Sequence, residues 1–343
     1  MPVIAALAMP PSRQPPALPQ RSALLAGPRG DFTSSIADNH RRSEPSTTRH
    51  HEGYDELHEF DQLIDDVRCA LPARVDACVS FVLFENDRQE VINAIAQVRS
   101  RTVTTHVVII DNSVPPMDLS FAAAMGATVV ATNQNIGYGR GHNIALAASR
   151  GRCRYNIVMN TDLQTQDDVI GGMVAFMDRH GDAGLAMPRV RYPDGSLQRL
   201  CRLLPDPADI VARRLLHRTK WGQEKNRQYE FHNWNYDTVA EFPFLSGCFM
   251  ILRRETLDQV GYFDERYFLY AEDLDLSRRI RAVSRTLYNP DETVVHEYRS
   301  KARPSLKRVR YAMVSLSKYF FKWGWIVDPE RDRINRAAIE QFR

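Results

Sequence analysis

From about residue 76 the chain alternates short, nearly unbroken apolar runs with segments of helical spacing. Cys78-Val79-Ser80-Phe81-Val82-Leu83-Phe84, His106-Val107-Val108-Ile109-Ile110, Thr128-Val129-Val130 and Tyr155-Asn156-Ile157-Val158-Met159 are rich in β-branched and aromatic residues and predict strands. Between them, Gln89–Arg99 and Ile144–Ser149 predict helices. Further on, the pattern predicts a helix over Val169–His180, a strand over Leu185–Val190 and a turn at Pro193-Asp194-Gly195. Strands apolar on both faces and separated by helices imply a mostly parallel α/β sheet with helices on both sides. Ligands of such sheets bind beyond the carboxyl ends of the strands, so polar residues there are the first functional candidates.

The ends of the chain read differently. Residues 1–52 are rich in Pro, Ser, Ala and Arg without an apolar period, which predicts a disordered tail. Within 53–75, Leu57, Phe60, Leu63, Ile64 and Val67 fall at helical spacing and predict one amphipathic helix. The main domain then spans 76–300, and 301–343 forms a basic and aromatic helical extension. In its neighbourhood Arg299, Lys301, Arg303, Lys307, Arg308, Arg310, Lys318 and Lys322 accompany Tyr319, Phe320, Phe321, Trp323 and Trp325 with no acidic residue between Arg299 and Lys322. That composition fits an anionic membrane surface or, equally, a helix packed on the domain with a solvated face. Residues 196–241 carry no readable pattern.

At 343 residues, with 43% hydrophobic and 25% charged residues, the chain can bury a core without staples, and a net charge of +3 does not argue for nucleic acid. The five cysteines show no C-x-x-C spacing, so neither a disulfide framework nor a thiolate zinc site is indicated and a cytoplasmic location is expected. Apolar runs such as Val107–Ile110 are far shorter than the roughly 20 residues of a membrane span.

Several short constellations sit at strand ends. Asp111-Asn112-Ser113 has turn chemistry, or offers an acceptor for a nucleobase or ribose. Gly137, Gly139 and Gly141 relieve backbone crowding at a helix start, or let N–H groups approach a phosphate. Asn160-Thr161-Asp162 is a surface turn, or presents hard oxygen ligands to Mg²⁺ or Mn²⁺. Glu272-Asp273-Leu274-Asp275 suits a helix N-terminus, where the dipole favours carboxylates, or supplies a general base. His296 alone reads as structural.

In this order, strand-Asp111, the glycine loop from Asn135 to Asn143, Asn160-x-Asp162, Ser246-Gly247, Gly261-x-Phe263-Asp264-Glu265, Tyr270-x-Glu272-Asp273-x-Asp275 and His296 resemble the inverting glycosyltransferases of family 2. The rhamnosyltransferase branch is the most similar. The resemblance covers about residues 76–300 and implies a GT-A type nucleotide-diphospho-sugar transferase fold. It implies that Phe84 and Asp111 hold the nucleotide base, and that Asn135, Gly137, Tyr138, Gly139 and Asn143 lie beside the nucleotide and its phosphates. Asp162 and His296 would contact Mn²⁺ or Mg²⁺, with Asn160 where the family's metal motif carries its first carboxylate. Asp273 would be the general base and Glu272 its acidic neighbour, with Ser246 and Gly247 lining the wall near donor sugar and acceptor. The implied activity moves a sugar, rhamnose from dTDP-rhamnose, onto a saccharide or lipid-linked saccharide in cell-surface polysaccharide synthesis, at the inner membrane face. The competing readings are a sugar nucleotidyltransferase, whose glycine- and lysine-rich phosphate loop is not visible near Phe84–Arg99, and a catalytically silent sugar-nucleotide-binding module.

Overall fold

The computed structural model describes residues 48–165, 167–214, 216–297 and 305–342. Most of the expected tail, and Arg299, Lys301 and Arg303, lie outside these. In chain order the elements are α1 (Thr48–Ala70), β1 (Val75–Leu83), α2 (Arg88–Gln97), β2 (Thr105–Asp111), α3 (Ser120–Ala124), β3 (Thr128–Ala131), α4 (Tyr138–Ala148) and β4 (Cys153–Met159). There follow β5 (Leu163–Thr165), α5 (Val169–Arg179), β6 (Ala183–Arg191), β7 (Cys201–Arg202), α6 (Pro207–Arg214) and α7 (Lys220–Tyr229). The last are β8 (Ala240–Glu241), β9 (Phe244–Leu245), β10 (Phe249–Arg253), α8 (Arg254–Val260), α9 (Glu272–Arg281), β11 (Arg285–His296), α10 (Leu306–Trp323) and α11 (Pro329–Glu340).

The main sheet runs β3-β2-β1-β4-β10-β6-β11-β5, with β8 paired to β11. β3, β2, β1 and β4 are mutually parallel, as are β6 and β11, while β10 is antiparallel to both its neighbours. A two-residue pleat period explains the apolar runs. Val107 and Ile109 of β2 enter one core with Val79 and Phe81, whereas Val108 and Ile110 enter a second core with Cys78, Ile144 and Ala145. Both faces are covered, so this is the doubly covered, mostly parallel α/β sheet the sequence implied.

Local chemistry sets the element ends. Asp87 caps α2, its carboxylate accepting from the Gln89 and Glu90 N–H groups. The helix expected from Ile144 starts at Tyr138, inside the glycine segment. Gly137 takes a left-handed φ of +92°, and a Cβ there would meet the Phe268 carbonyl oxygen. Gly139 and Gly141 are helical instead, and side chains there would press on Phe263, Glu272 and Val82. The glycines therefore serve close packing. Val67 and Leu71, at the end of α1, join the second core.

The C-terminal helices are bound to α9. A third core joins Leu274 and Tyr267 to Tyr319, Phe320 and Ile334. Beside it the Arg278 guanidinium donates two hydrogen bonds to Asp328, at 2.6 and 2.7 Å, and both side chains are almost fully buried. Lys322 reaches Asp264 and Asp275, and the Trp323 indole N–H donates to Asp275 at 2.7 Å. Removing one partner of a buried pair strands the other charge, which costs about 3–5 kcal/mol. Asp328→Ala is therefore expected to lower unfolding free energy by about that amount, measured by denaturant titration. A loss within about 0.5 kcal/mol would remove this pair as the anchor of α10 and α11.

Candidate active site

Two chain reversals meet at the carboxyl end of β4. Ser246-Gly247-Cys248 connects β9 to β10, and the Asn160 N–H donates to the Cys248 carbonyl at 2.9 Å. Opposite, Tyr270 and Ala271 both adopt left-handed conformations, with φ of +69° and +68°, immediately before α9. Each costs a non-glycine residue on the order of 1 kcal/mol or more, so surrounding packing must hold them. The result sets the N-terminus of α9 against Gly247. Asp273 Oδ2 accepts the Gly247 N–H at 2.8 Å, and its Oδ1 accepts the Leu274 N–H at 2.9 Å. A Cβ on residue 247 would stand 3.1 Å from Asp273 Cβ, so this approach favours glycine.

Tyr138 fastens the opposite wall. Its hydroxyl lies 2.8 Å from the Gly247 carbonyl and 3.0 Å from Asn160 Oδ1. Its ring meets His142 edge-on at 4.4 Å. Ser80 Oγ donates to the Ile157 carbonyl and takes a hydrogen bond from His142 Nδ1, and burial pushes this imidazole down to about 3, so it stays neutral. Burial, with Asp273 beside it, pushes Glu272 well above the usual carboxylate range. Burial also raises Asp273, against the Gly247 and Leu274 N–H groups and the Arg202 charge, which hold it down. Glu272 Oε2 has no hydrogen-bond partner, whereas both oxygens of Asp273 have one. The two carboxyls thus differ in their surroundings: Asp273 is met by two backbone N–H donors and the Arg202 charge, whereas Glu272 Oε2 is buried without a donor.

Asp162 and His296 come together from distant segments, with His296 Nε2 3.2 Å from Asp162 Oδ1. Gln198 donates its amide N–H to the His296 carbonyl at 3.1 Å, which turns its Oε1 to Nδ1 at 3.0 Å. A proton on Nδ1 leaves Nε2 with a lone pair facing a carboxylate, an arrangement that a proton or a cation between them relieves. Among the described residues no group of three or more His, Cys, Asp or Glu side chains converges. An imidazole and one carboxylate, with Asn160 nearby in sequence, fit an ion that keeps water and substrate phosphate in its shell.

A cavity of about 1020 Å³ opens over this centre. Tyr138, Asn160, Ser246, Gly247, Glu272, Asp273 and His296 line it, and Asp162 adjoins through His296 while lining a smaller recess of about 210 Å³. Six expected donor contacts do not line it, among them Gly137, packed against the Phe268 carbonyl. Asp111 is 1% exposed, and its oxygens accept the Ser113 and Met117 N–H groups, so it builds the turn after β2. Asn135 accepts the Gly137 N–H and shapes the glycine loop. Asn143 clamps the backbone N–H and carbonyl of Phe263. Gly139 is packed under Phe263 and Glu272, and Phe84 is exposed at a strand end outside both cavities.

The family model for Glycosyl transferase family 2 matches residues 81–261. The chain belongs to that family. Among proteins similar to this family 2 member, N-acetylglucosaminyl-diphospho-decaprenol L-rhamnosyltransferase of Mycobacterium tuberculosis is 31% identical over 180 residues, 48% of this chain. The match covers 57% of that relative, so the chain spans little more than half of its length. Rhamnosyltransferase WbbL of Escherichia coli is 25% identical over 207 residues, covering 58% of this chain and 75% of WbbL. The solved mannosyltransferase PcManGT of Pyrobaculum calidifontis, in complex with GDP-Man and Mn²⁺, aligns over 84% of each chain at 14% identity with a TM-score of 0.46.

In this family 2 chain the sequence pattern missed Gln198, Arg202 and His142. Gln198 and Arg202 fall in the stretch without periodicity, which nonetheless supplies much of the cavity wall through Arg202, Asn226, Tyr229 and their neighbours. His142 stands in the glycine segment, where nothing local marks it as the residue under Tyr138. A raised native pKa makes the ionised form of Glu272 cost folded stability, fully felt only above that raised value and absent below the unfolded value near 4.5. Glu272→Gln should therefore gain stability relative to wild type as pH rises from about 5 to about 8, read by denaturant midpoints. A difference that does not change with pH would contradict the raised value.

Proposed function

We propose that the chain transfers a sugar from a nucleoside-diphosphate donor to an acceptor hydroxyl with inversion, Asp273 acting as the general base. The observation that carries this reading is the Asp273 carboxylate, held by two backbone N–H groups at the cavity wall, across from Asn160 and His296. Its raised pKa makes it a stronger proton acceptor than an ordinary Asp, as a general base requires. Asp162 and His296 would hold Mn²⁺ or Mg²⁺, which when bound offsets the negative charge gathering on the departing diphosphate. Gln198 orients His296 for that task. Tyr138 fixes Asn160 and Gly247 so that the two sides keep their spacing, and Glu272, protonated, avoids placing a second negative charge beside the base. The names of the two relatives support L-rhamnose as the sugar, carried as dTDP-rhamnose, and a saccharide on a lipid diphosphate as the acceptor. Family membership weighs against a nucleotidyltransferase, and the Asp162, Asp273 and His296 set weighs against a silent binder.

The acceptor's lipid also gives α10 a role, at the anionic surface of a bilayer on the cytoplasmic side. Its inner face supplies Arg308, Val309, Ala312 and Leu316 to the cavity. Its outer face leaves Leu306, Met313, Val314 and Phe321 exposed beside Lys307, Arg310 and Lys318, with no acidic residue on the helix. Ile326 and Val327 extend the apolar patch past the helix end. Among the described residues no helix is long and apolar enough to cross a membrane, so α10 would lie on the bilayer.

Asp273→Asn should keep donor affinity and lose roughly 10²-fold or more in turnover. Wild-type turnover should fall on acidification through a value above the ordinary 3.8 of Asp. Near-normal turnover in the variant would end the base assignment. Asp162→Ala should abolish Mn²⁺-supported donor binding in calorimetry, and unchanged affinity would remove it from the site. In flotation with vesicles, Phe321→Ser combined with Lys318→Glu should lose binding to anionic phospholipid, and retained binding would exclude the outer face of α10.

A further inference from the structure

The cavity holds more positive charge than the transfer centre uses. Among the described residues no carboxylate besides Glu272 and Asp273 lines it, whereas Arg202, Arg227 and Arg308 do. Arg202 is fixed by position, because β7 pairs with β9, setting Cys201 opposite Leu245 and Arg202 opposite Phe244. Among the described residues no hydrogen bond or salt bridge reaches its guanidinium, and its Nε is buried without a partner. Its charge is felt at Asp273, so the two stand near each other on the cavity wall. The Arg202 guanidinium lies over the Phe244 ring at 5.9 Å and lines the cavity with its Nε unsatisfied, and its planar fork matches phosphate oxygens. Arg227 on α7 and Arg308 in the first turn of α10 bring two more cations to the same cavity from two further helices. Beside Arg308, the cavity wall turns apolar with Val309, Ala312 and Leu316 on α10 and Ile210 on α6.

We propose that Arg202, with Arg227 and Arg308, forms a second anion subsite that binds the phosphate groups joining the acceptor's first sugar to its lipid. This subsite is separate from the donor diphosphate position at Asp162 and His296. It rests on the glycosyltransferase reading and names the residues that make the acceptor's phosphate a requirement. The phosphate would sit between Arg202 and Arg308, the reacting sugar hydroxyl toward Asp273, and the first part of the lipid chain along the apolar side of α10. No bond to phosphorus is made or broken there, since the subsite positions and selects.

The test is equilibrium binding, which does not depend on turnover. N-acetylglucosamine joined through diphosphate to a short alkyl chain is titrated into the full-length chain with EDTA present, so that no divalent ion supports the donor side. The same sugar as a phosphate-free alkyl glycoside and inorganic diphosphate are titrated in parallel. Arg202→Gln and Arg227→Ala should each weaken the diphosphate probe by roughly 10-fold or more, the usual worth of a charge-assisted hydrogen bond, and leave the phosphate-free glycoside unchanged. Should Arg202→Gln not fold, Arg227→Ala and Arg308→Ala, both at exposed positions, carry the same test. Unchanged affinity for the diphosphate probe would overturn the proposal, and so would an equal loss for both sugars. Inorganic diphosphate binding as tightly as the sugar probe would also overturn it, since the site would then serve a free anion. Nucleoside diphosphate release from a donor panel, measured separately, decides the underlying glycosyltransferase reading. Absent release with intact arginine-dependent binding would count against that reading alone.

Discussion

The backbone of Gly247 joins three parts of the chain that the sheet alone would leave apart. Its N–H holds Asp273 at the start of α9, and its carbonyl lies within hydrogen-bond reach of the Tyr138 hydroxyl. The same hydroxyl reaches Asn160 at the end of β4. Only a residue without a side chain fits comfortably against Asp273 there. Because Tyr138 opens α4, the packing of Gly139 under Phe263 and Glu272 sets the height of the same wall. The Asp273 carboxylate, a sheet edge and a helix start are thus positioned by one residue's two backbone groups. The charge on Asp273 is tolerated in a buried place because those N–H donors and the Arg202 field oppose the cost of burial.

Much of this was legible in the sequence, and the exceptions have definite physical reasons. The strands of the first half were readable because each is covered on both faces, which writes an unbroken apolar run. Glu272 and Asp273 were readable as a pair at a helix start. The roles of Asp111 and Asn143 were not, because an oxygen that caps a turn and one that binds a ligand are the same atom in a sequence. In the structure these oxygens accept backbone N–H groups: those of Ser113 and Met117 for Asp111, that of Phe263 for Asn143. The glycines likewise served contact with Phe263, Glu272 and Val82. Gln198 and Arg202 act on partners far along the chain, His296 and the Asp273 carboxylate, from a stretch with neither helical nor strand period. Such groups become visible only once the chain has folded over itself.

The C-terminal helices illustrate how one element serves two surfaces. The buried Arg278–Asp328 pair and the Lys322 and Trp323 contacts to Asp275 fix α10 to the helix that carries the base. With its inner face committed to the cavity, the outer face retains its exposed apolar and basic side chains. The packing reading of the tail's composition thus describes the inner face of this helix, and the surface-association reading is a proposal about the outer one.

The central claim is direct attack by an acceptor hydroxyl, with Asp273 taking its proton and no sugar attached to the protein on the way. Proton NMR of the first product formed from a nucleoside-diphosphate L-rhamnose and a diphosphate-linked saccharide tests it most directly, since it reads the anomeric configuration of the new bond. The account predicts the configuration opposite to that of the donor. A product that keeps the donor's configuration would contradict it.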